Sequence, residues 1–283
     1  MLTYCTFAMF QTATIMELLG FILAALVGIS LGLIGGGGSI LTVPILVYLM
    51  GLNPVLATSY SLFIVGSTSM VGAVNNYRKG FVSIKTALLF GLSSITTVFI
   101  TRKIIMPMIP AILFDKGHIH ITQAMAIMVL FAILMLIASI AMIKDKQPQV
   151  SGIDAAKQGA NPIVKLLSFG VLIGLATGFL GAGGGFLVIP ALVIILKMPM
   201  KEAVGTSLLI IALNSLIGFT GDMGHFVIDW IFLIGITLVA IAGIFIGGFL
   251  AKKIEGDKLK KAFGWFVLVM GIYIFVKEIF FHK

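Results

Sequence analysis

Residues 32–44 read GLIGGGGSILTVP, and residues 178–190, 146 positions further on, read GFLGAGGGFLVIP. At that offset Gly32, Gly35, Gly37, Gly38, Leu41 and Pro44 fall on Gly178, Gly181, Gly183, Gly184, Leu187 and Pro190. The correspondence continues outward. ATSYSL at 57–62 matches GTSLLI at 205–210, each within a long apolar run, and NNYRKGFVSI at 75–84 then answers GDMGHFVIDW at 221–230. The chain therefore divides into a first repeat, 1–143, a polar linker, 144–162, and a second repeat, 163–283.

Four consecutive glycines make a poor helix interior, each costing up to about 1 kcal/mol against alanine. Pro44 and Pro190 follow, and each lacks an N–H, so each either opens a new helical turn or kinks one. One reading is a discontinuous helix. The helix restarting near Ser39, or near Phe186, would turn its N-terminus toward the break. That end carries free N–H donors and about half a positive charge, and glycine lets backbone come close to a ligand. An anion is the natural occupant. The other reading is close helix packing through small residues. Under the first, Gly36, Gly37, Gly38 and Ser39 form one binding surface and Gly183, Gly184 and Gly185 the other, with Ser39 also suited to cap its helix.

The medium follows from composition. Of 283 residues, 60% are hydrophobic and 10% charged, with a mean hydropathy of +1.19. A water-soluble domain carries about 25% charged residues. Apolar runs at 18–51, 55–76, 82–101, 121–143, 164–197, 202–221, 228–251 and 262–281 each reach the roughly 20 residues a membrane helix needs. The fold class is an all-α integral membrane protein of about eight hydrophobic segments, two of them glycine-broken. No period-2 alternation typical of a membrane barrel is present.

Charge orients the segments. If each broken segment turns back, one side of the membrane receives 14 of the Lys and Arg residues and the other 5; if each crosses once, the division is 10 to 9. The positive-inside rule favours the first arrangement. Each repeat then makes three full crossings, so the second enters from the opposite face, giving inverted repeats. The linker is expected in the cytoplasm and both termini outside it, in a cell membrane. The net charge of +9 is thus a topology signal, and nucleic acid is not an expected partner. The first 16 residues lack Lys and Arg, unlike the basic start of a signal peptide. One cysteine, Cys5, makes no internal disulfide and no Cys-rich metal site, and no cofactor is expected.

Polar side chains inside apolar segments usually face protein. Thr58 and Ser59 in the first repeat, Thr206 and Ser207 in the second, and Asn214 further along offer hydroxyl and amide donors suited to an oxyanion, although Ser and Thr also bond their own helix backbone. Asp222, His225, Asn75 and Arg78 are candidates for proton coupling or gating, or else wet residues at the membrane surface. Arg102 and Lys103, followed by PMIP, read as an interfacial helix end. Gly243, Gly247 and Gly248 suit packing within the bundle or between protomers of a homodimer.

At its glycine motifs the chain resembles the sulfite exporter TauE/SafE family, also called the toluene sulfonate uptake permeases. The resemblance rests on GLIGGGGSILTVPIL, NPVLATSYSL, GFLGAGGGFLVIPALV and EAVGTSLLIIALNSLIGF, and covers nearly the whole chain. It implies a transporter of sulfite or organosulfonates such as sulfoacetate. Where members commonly carry a basic His-Tyr-Arg-like stretch, this chain has Asn75, Asn76, Tyr77, Arg78 and Lys79. A secondary carrier is the first expectation, since no GxxxxGK[ST] loop for ATP occurs. An anion channel is the alternative. An intramembrane protease is disfavoured: GTSL at 205–208 lacks the glycine after serine, and Phe219 stands where a GxGD motif needs glycine.

Overall fold

The computed structural model describes residues 20–33, 36–116, 119–143, 162–181, 183–196, 198–225, 227–250 and 256–280. Cys5, Glu17 and nearly all of the linker lie outside the described residues. In chain order the helices are α1 (Gly20–Leu33), α2 (Ser39–Leu49), α3 (Pro54–Arg78) and α4 (Ile84–Met108). A two-stranded antiparallel ribbon follows, β1 (Ile112–Lys116) and β2 (Ile119–Thr122), which the sequence pattern does not announce. Then come α5 (Gln123–Ile143), α6 (Pro162–Leu180), α7 (Gly185–Leu196), α8 (Met200–Asp222), α9 (Trp230–Leu250) and α10 (Gly256–Phe280). The protein is a mostly helical, multi-pass membrane protein. Among the described residues, five helices are long and apolar enough to cross a bilayer: α3, α4 and α9, and the apolar stretches Gln123–Ile140 of α5 and Lys201–Asp222 of α8.

Both glycine-rich segments turn back. Gly20, at the start of α1, packs against Met50, just past the end of α2. Gly184 lies beside Ile173 and Thr177 of α6. In one continuous helix, the eleven-residue step from Ile173 to Gly184 would span about 16 Å. The 12 residues of α7 span about 18 Å, against a hydrocarbon core of about 30 Å, so α7 by itself is too short to cross a bilayer. The first break continues as a 3-10 turn, Gly36–Leu41, before a short α-turn and a π-turn, Ile45–Leu49.

α3 and α8 form the centre. α3 buries residues on all sides, from Ala57 and Thr58 to Gly72 and Ala73, so a protein-wide environment replaces a single apolar stripe. It packs along α8, while α4 packs on α6 and α8, α9 packs on α3, and α10 packs on α5. Across the break region, α7 packs on the Gly36–Leu41 turn. Gly28 and Gly32 of α1 meet the backbone of α9 at Ala240, Ile244, Gly247 and Gly248, and Gly243 and Gly247 of α9 meet α1 in return. Two of the three glycines suited to packing within or between protomers are therefore used inside the bundle. Outward-facing side chains such as Leu92, Ile231 and Phe280 are 71%, 89% and 71% exposed, which suits lipid as the outer solvent.

Candidate functional site

Glycines at the second break adopt the left-handed backbone, with φ of +66° at Gly181, +67° at Gly183 and +68° at Gly184. Glycine takes that conformation without the penalty a Cβ brings. Space dictates the same residue. A Cβ on Gly181 would run into the backbone of Thr58, one on Gly184 into Thr177 Oγ1, and one on Gly183 would lie 2.8 Å from Ser215 Oγ. The break is thus wedged between α3, α6 and α8. Thr177 and Ser215 are buried, and their hydroxyls have no hydrogen-bond partner among the described residues. α7 begins here, and the first N–H groups of a helix have no intrahelical acceptor. Leu187 N and Val188 N both donate to Gly184 O, so the N-terminal end of α7 starts at Gly184, beside the two buried hydroxyls.

The other expected polar residues divide. Thr58 and Ser59 are buried at the start of α3, with Thr58 Oγ1 donating to Val55 O at 2.7 Å. Thr206 and Ser207 are buried at the start of α8; Thr206 Oγ1 accepts from Ser83 N at 2.9 Å, and Ser207 Oγ donates to Val204 O at 2.8 Å. Asn214 Nδ2 donates to Ser94 Oγ at 2.6 Å, and its buried Oδ1 has no partner among the described residues. At the first break Gly36, Gly37 and Gly38 lie in the 3-10 turn, Ser39 is buried, and the buried Thr42 hydroxyl has no partner among the described residues. Gly185 is buried at the first residue of α7.

The ionisable candidates separate sharply. His225 and Arg78 are exposed, and Asn75 is half-buried. Asp222, at the end of α8, is buried. Arg102 is a correction: the expected interfacial residue is 1% exposed, the largest of the fully buried side chains. α4 does not end there. Pro107 lacks the N–H that would continue the hydrogen-bond ladder, and the helix passes through a π-turn, Thr101–Ile105, just ahead of it. That turn holds Arg102 inward. Its Nη1 donates to Asp222 Oδ2 at 2.9 Å and to Thr58 Oγ1 at 3.0 Å, and Ser59 Oγ donates to the same carboxylate oxygen. Thr58 thus touches both the charge pair and the glycine break at Gly181. Sequence alone pointed only weakly to this cluster, through a lone Arg and Asp flanking apolar runs.

This architecture, with a buried charge pair and broken helices in a lipid-facing bundle, defines a multi-pass membrane protein with a polar interior site. The family model described as Sulfite exporter TauE/SafE matches residues 20–274, so the chain belongs to that family. A "Probable membrane transporter protein" from Xylella fastidiosa (strain 9a5c) is 30% identical over 252 residues, covering 88% of this chain and 91% of the relative. "Probable membrane transporter protein YdhB" from Bacillus subtilis (strain 168) is 27% identical over 237 residues, 84% of this chain and 91% of the relative. No solved structure is a significant match. Family and relatives together make this chain a membrane transporter.

Proposed function

We propose that the protein is a secondary carrier for a small sulfur-containing anion, such as sulfite or an organosulfonate, bound near the midplane at the glycine breaks. The observation that carries this reading is the second break. There, Gly183 and Gly184 bring the N-terminal end of α7 against the unpartnered hydroxyls of Thr177 and Ser215. A buried donor left without an acceptor costs about 1–3 kcal/mol, so an occupant rich in acceptor oxygens is favoured. A sulfonate or sulfite offers three oxygens on one centre, and its negative charge suits a helix N-terminus.

Inverted repeats are part of the proposal. Each break begins and ends on one side, so three full crossings remain in each half, an odd number. Exchanging the halves also exchanges the packed pairs: α4 on α6 with α9 on α1, and α4 on α8 with α9 on α3. The pairs α3 with α8 and α5 with α10 exchange with themselves. Burial of Arg102 removes it from the sparser side of the charge count, leaving 14 basic residues against 4 and favouring a cytoplasmic linker further.

The test is thermal stability of the purified protein against sulfite, sulfate, thiosulfate, sulfoacetate, taurine, toluene sulfonate, acetate and chloride. A ligand that binds only the folded state at 100 times its Kd adds about 2.7 kcal/mol. A sulfur oxyanion or sulfonate is expected to raise the melting temperature of the wild type and not of a folded Gly184→Val variant. A panel without any response removes the anion reading. Saturable uptake with counter-transport in vesicles then separates a carrier from a channel.

A further inference from the structure

Arg102 uses one nitrogen of its guanidinium. Nη1 makes both contacts, to Asp222 and to Thr58, while Nε and Nη2 are buried with no hydrogen-bond partner among the described residues. Those two nitrogens carry the parallel N–H bonds on one edge of the planar group, the fork that takes two oxygens of one carboxylate, sulfonate or phosphate. A charged side chain inside a membrane protein is costly, and a half-used guanidinium costs more than a satisfied one. The surrounding structure fixes this group firmly. The π-turn at Thr101–Ile105 directs Arg102 inward, and Gly221 lets the Arg102 Cβ come within 3.1 Å of a Cβ built at that glycine. π-Turns inside helices are frequent at functional sites.

We propose that the Nε–Nη2 edge of Arg102 is a bidentate oxyanion fork of the transport site, with Asp222 and Thr58 as positioning residues that hold it by Nη1. The inference rests on the reading of the substrate as an anion and adds the residue that recognises it. The ligand class is an anion with two oxygens on one centre, so sulfite, sulfonates and carboxylates fit and chloride does not. Thr58 joins the fork to the break, because its backbone abuts Gly181 and its hydroxyl accepts from Nη1. The carboxylate of Asp222 has two opposed effects. It orients the guanidinium, and its charge opposes an incoming anion. Asparagine in its place keeps an oxygen acceptor for Nη1 and Ser59 while removing the charge.

The experiment measures binding of sulfite, sulfoacetate, acetate and chloride to purified full-length wild type, Asp222→Asn, and the double variant Arg102→Gln/Asp222→Asn. The double variant removes both charges together and leaves no unpaired ion to unfold the protein. Asp222→Asn is expected to bind the oxyanion about tenfold more tightly than wild type. The double variant is expected to lose about ten- to a hundredfold, the scale of a charge-assisted hydrogen-bonded pair. Chloride is expected to produce no response in any of them. If the double variant binds the oxyanion as wild type does, the fork is overturned while the anion reading stands. If Asp222→Asn folds and binds no tighter than wild type, the pair is a structural tie and the fork is likewise overturned. If neither wild type nor Asp222→Asn responds to any anion, both proposals fall.

Discussion

The same 146-residue offset that aligns the glycine motifs sets Asn76 against Asp222 and Gly248 against Arg102. At the end of α8, the Asp222 carboxylate accepts from the Arg102 guanidinium and the Ser59 hydroxyl, while the guanidinium also donates to the Thr58 hydroxyl, all buried. At the end of α3, the amide of Asn76 donates to Gly72 O in its own helix at 2.9 Å, and the neighbouring Thr206 hydroxyl accepts from Ser83 N at 2.9 Å. A Cβ on Gly248 would meet nothing within 4 Å. Two places matched in sequence, each at the end of a long helix, thus differ in chemistry. One is tied by charge across three helices, and the other by neutral bonds. The lesson is that two stretches matched in sequence carry different polar contacts, with the ionic cluster at the end of α8.

The largest expected effect comes from breaking the charged end. Arg102→Ala leaves Asp222 as an uncompensated buried charge, and Asp222→Ala does the same to Arg102. Each single variant is expected to lose about 3–5 kcal/mol. Asn76→Ala at the equivalent place removes one neutral bond and is expected to lose about 0.5–1.5 kcal/mol. Thermal unfolding of the purified proteins measures both. Equal losses at the two ends would erase the contrast. The double variant Arg102→Gln/Asp222→Asn, which removes both charges together, is expected to recover most of the loss of either single.

Two glycines with left-handed backbone sharpen the comparison next. At Gly181 the left-handed φ and the adjacent Thr58 backbone act together, so alanine has neither the conformation nor the space. At Gly80, φ is +76° and a Cβ would meet nothing within 4 Å. Gly80→Ala is therefore expected to lose about 1–2 kcal/mol from backbone conformation alone. Gly181→Ala adds an overpacking cost of about 1–3 kcal/mol. Melting temperatures of the pair give the difference. If Gly181→Ala is as mild as Gly80→Ala, the close approach of the break to α3 is not tight.

Much of this frame was legible in the sequence, for reasons that differ by residue. The breaks at Gly35–Gly38 and Gly181–Gly185 are local facts of composition, and α3, expected over 55–76, runs Pro54–Arg78. Burial of Thr58, Ser59, Thr206 and Asn214 also follows from polar groups set in apolar helices. Arg102 was not legible. Pro107 in the PMIP stretch suggested a helix end, and only the π-turn keeps α4 going to Met108. The partner that makes its burial tolerable, Asp222, lies 120 positions away, beyond any local pattern. The unpartnered hydroxyls of Thr177 and Ser215 were equally hidden, because hydrogen-bond satisfaction is a tertiary property.

The smallest effect tests packing without charge, at two adjacent glycines of α9. A Cβ on Gly247 would collide with the Ile29 carbonyl of α1, whereas one on Gly248 meets nothing within 4 Å. In water, alanine would gain up to about 1 kcal/mol over glycine in a helix interior. Within a membrane the separated helices already hold their backbone bonds, so that gain largely cancels between the packed and unpacked states. Gly248→Ala is therefore expected to leave the melting temperature nearly unchanged. Gly247→Ala has to push α1 from α9 and is expected to lose about 1–3 kcal/mol. Because the two substitutions share residue type, helix and depth to within one residue, their difference isolates helix contact. A loss at Gly248 as large as that at Gly247 would mean that this position also faces a packed neighbour, and the contrast with Arg102 would then be one of charge alone.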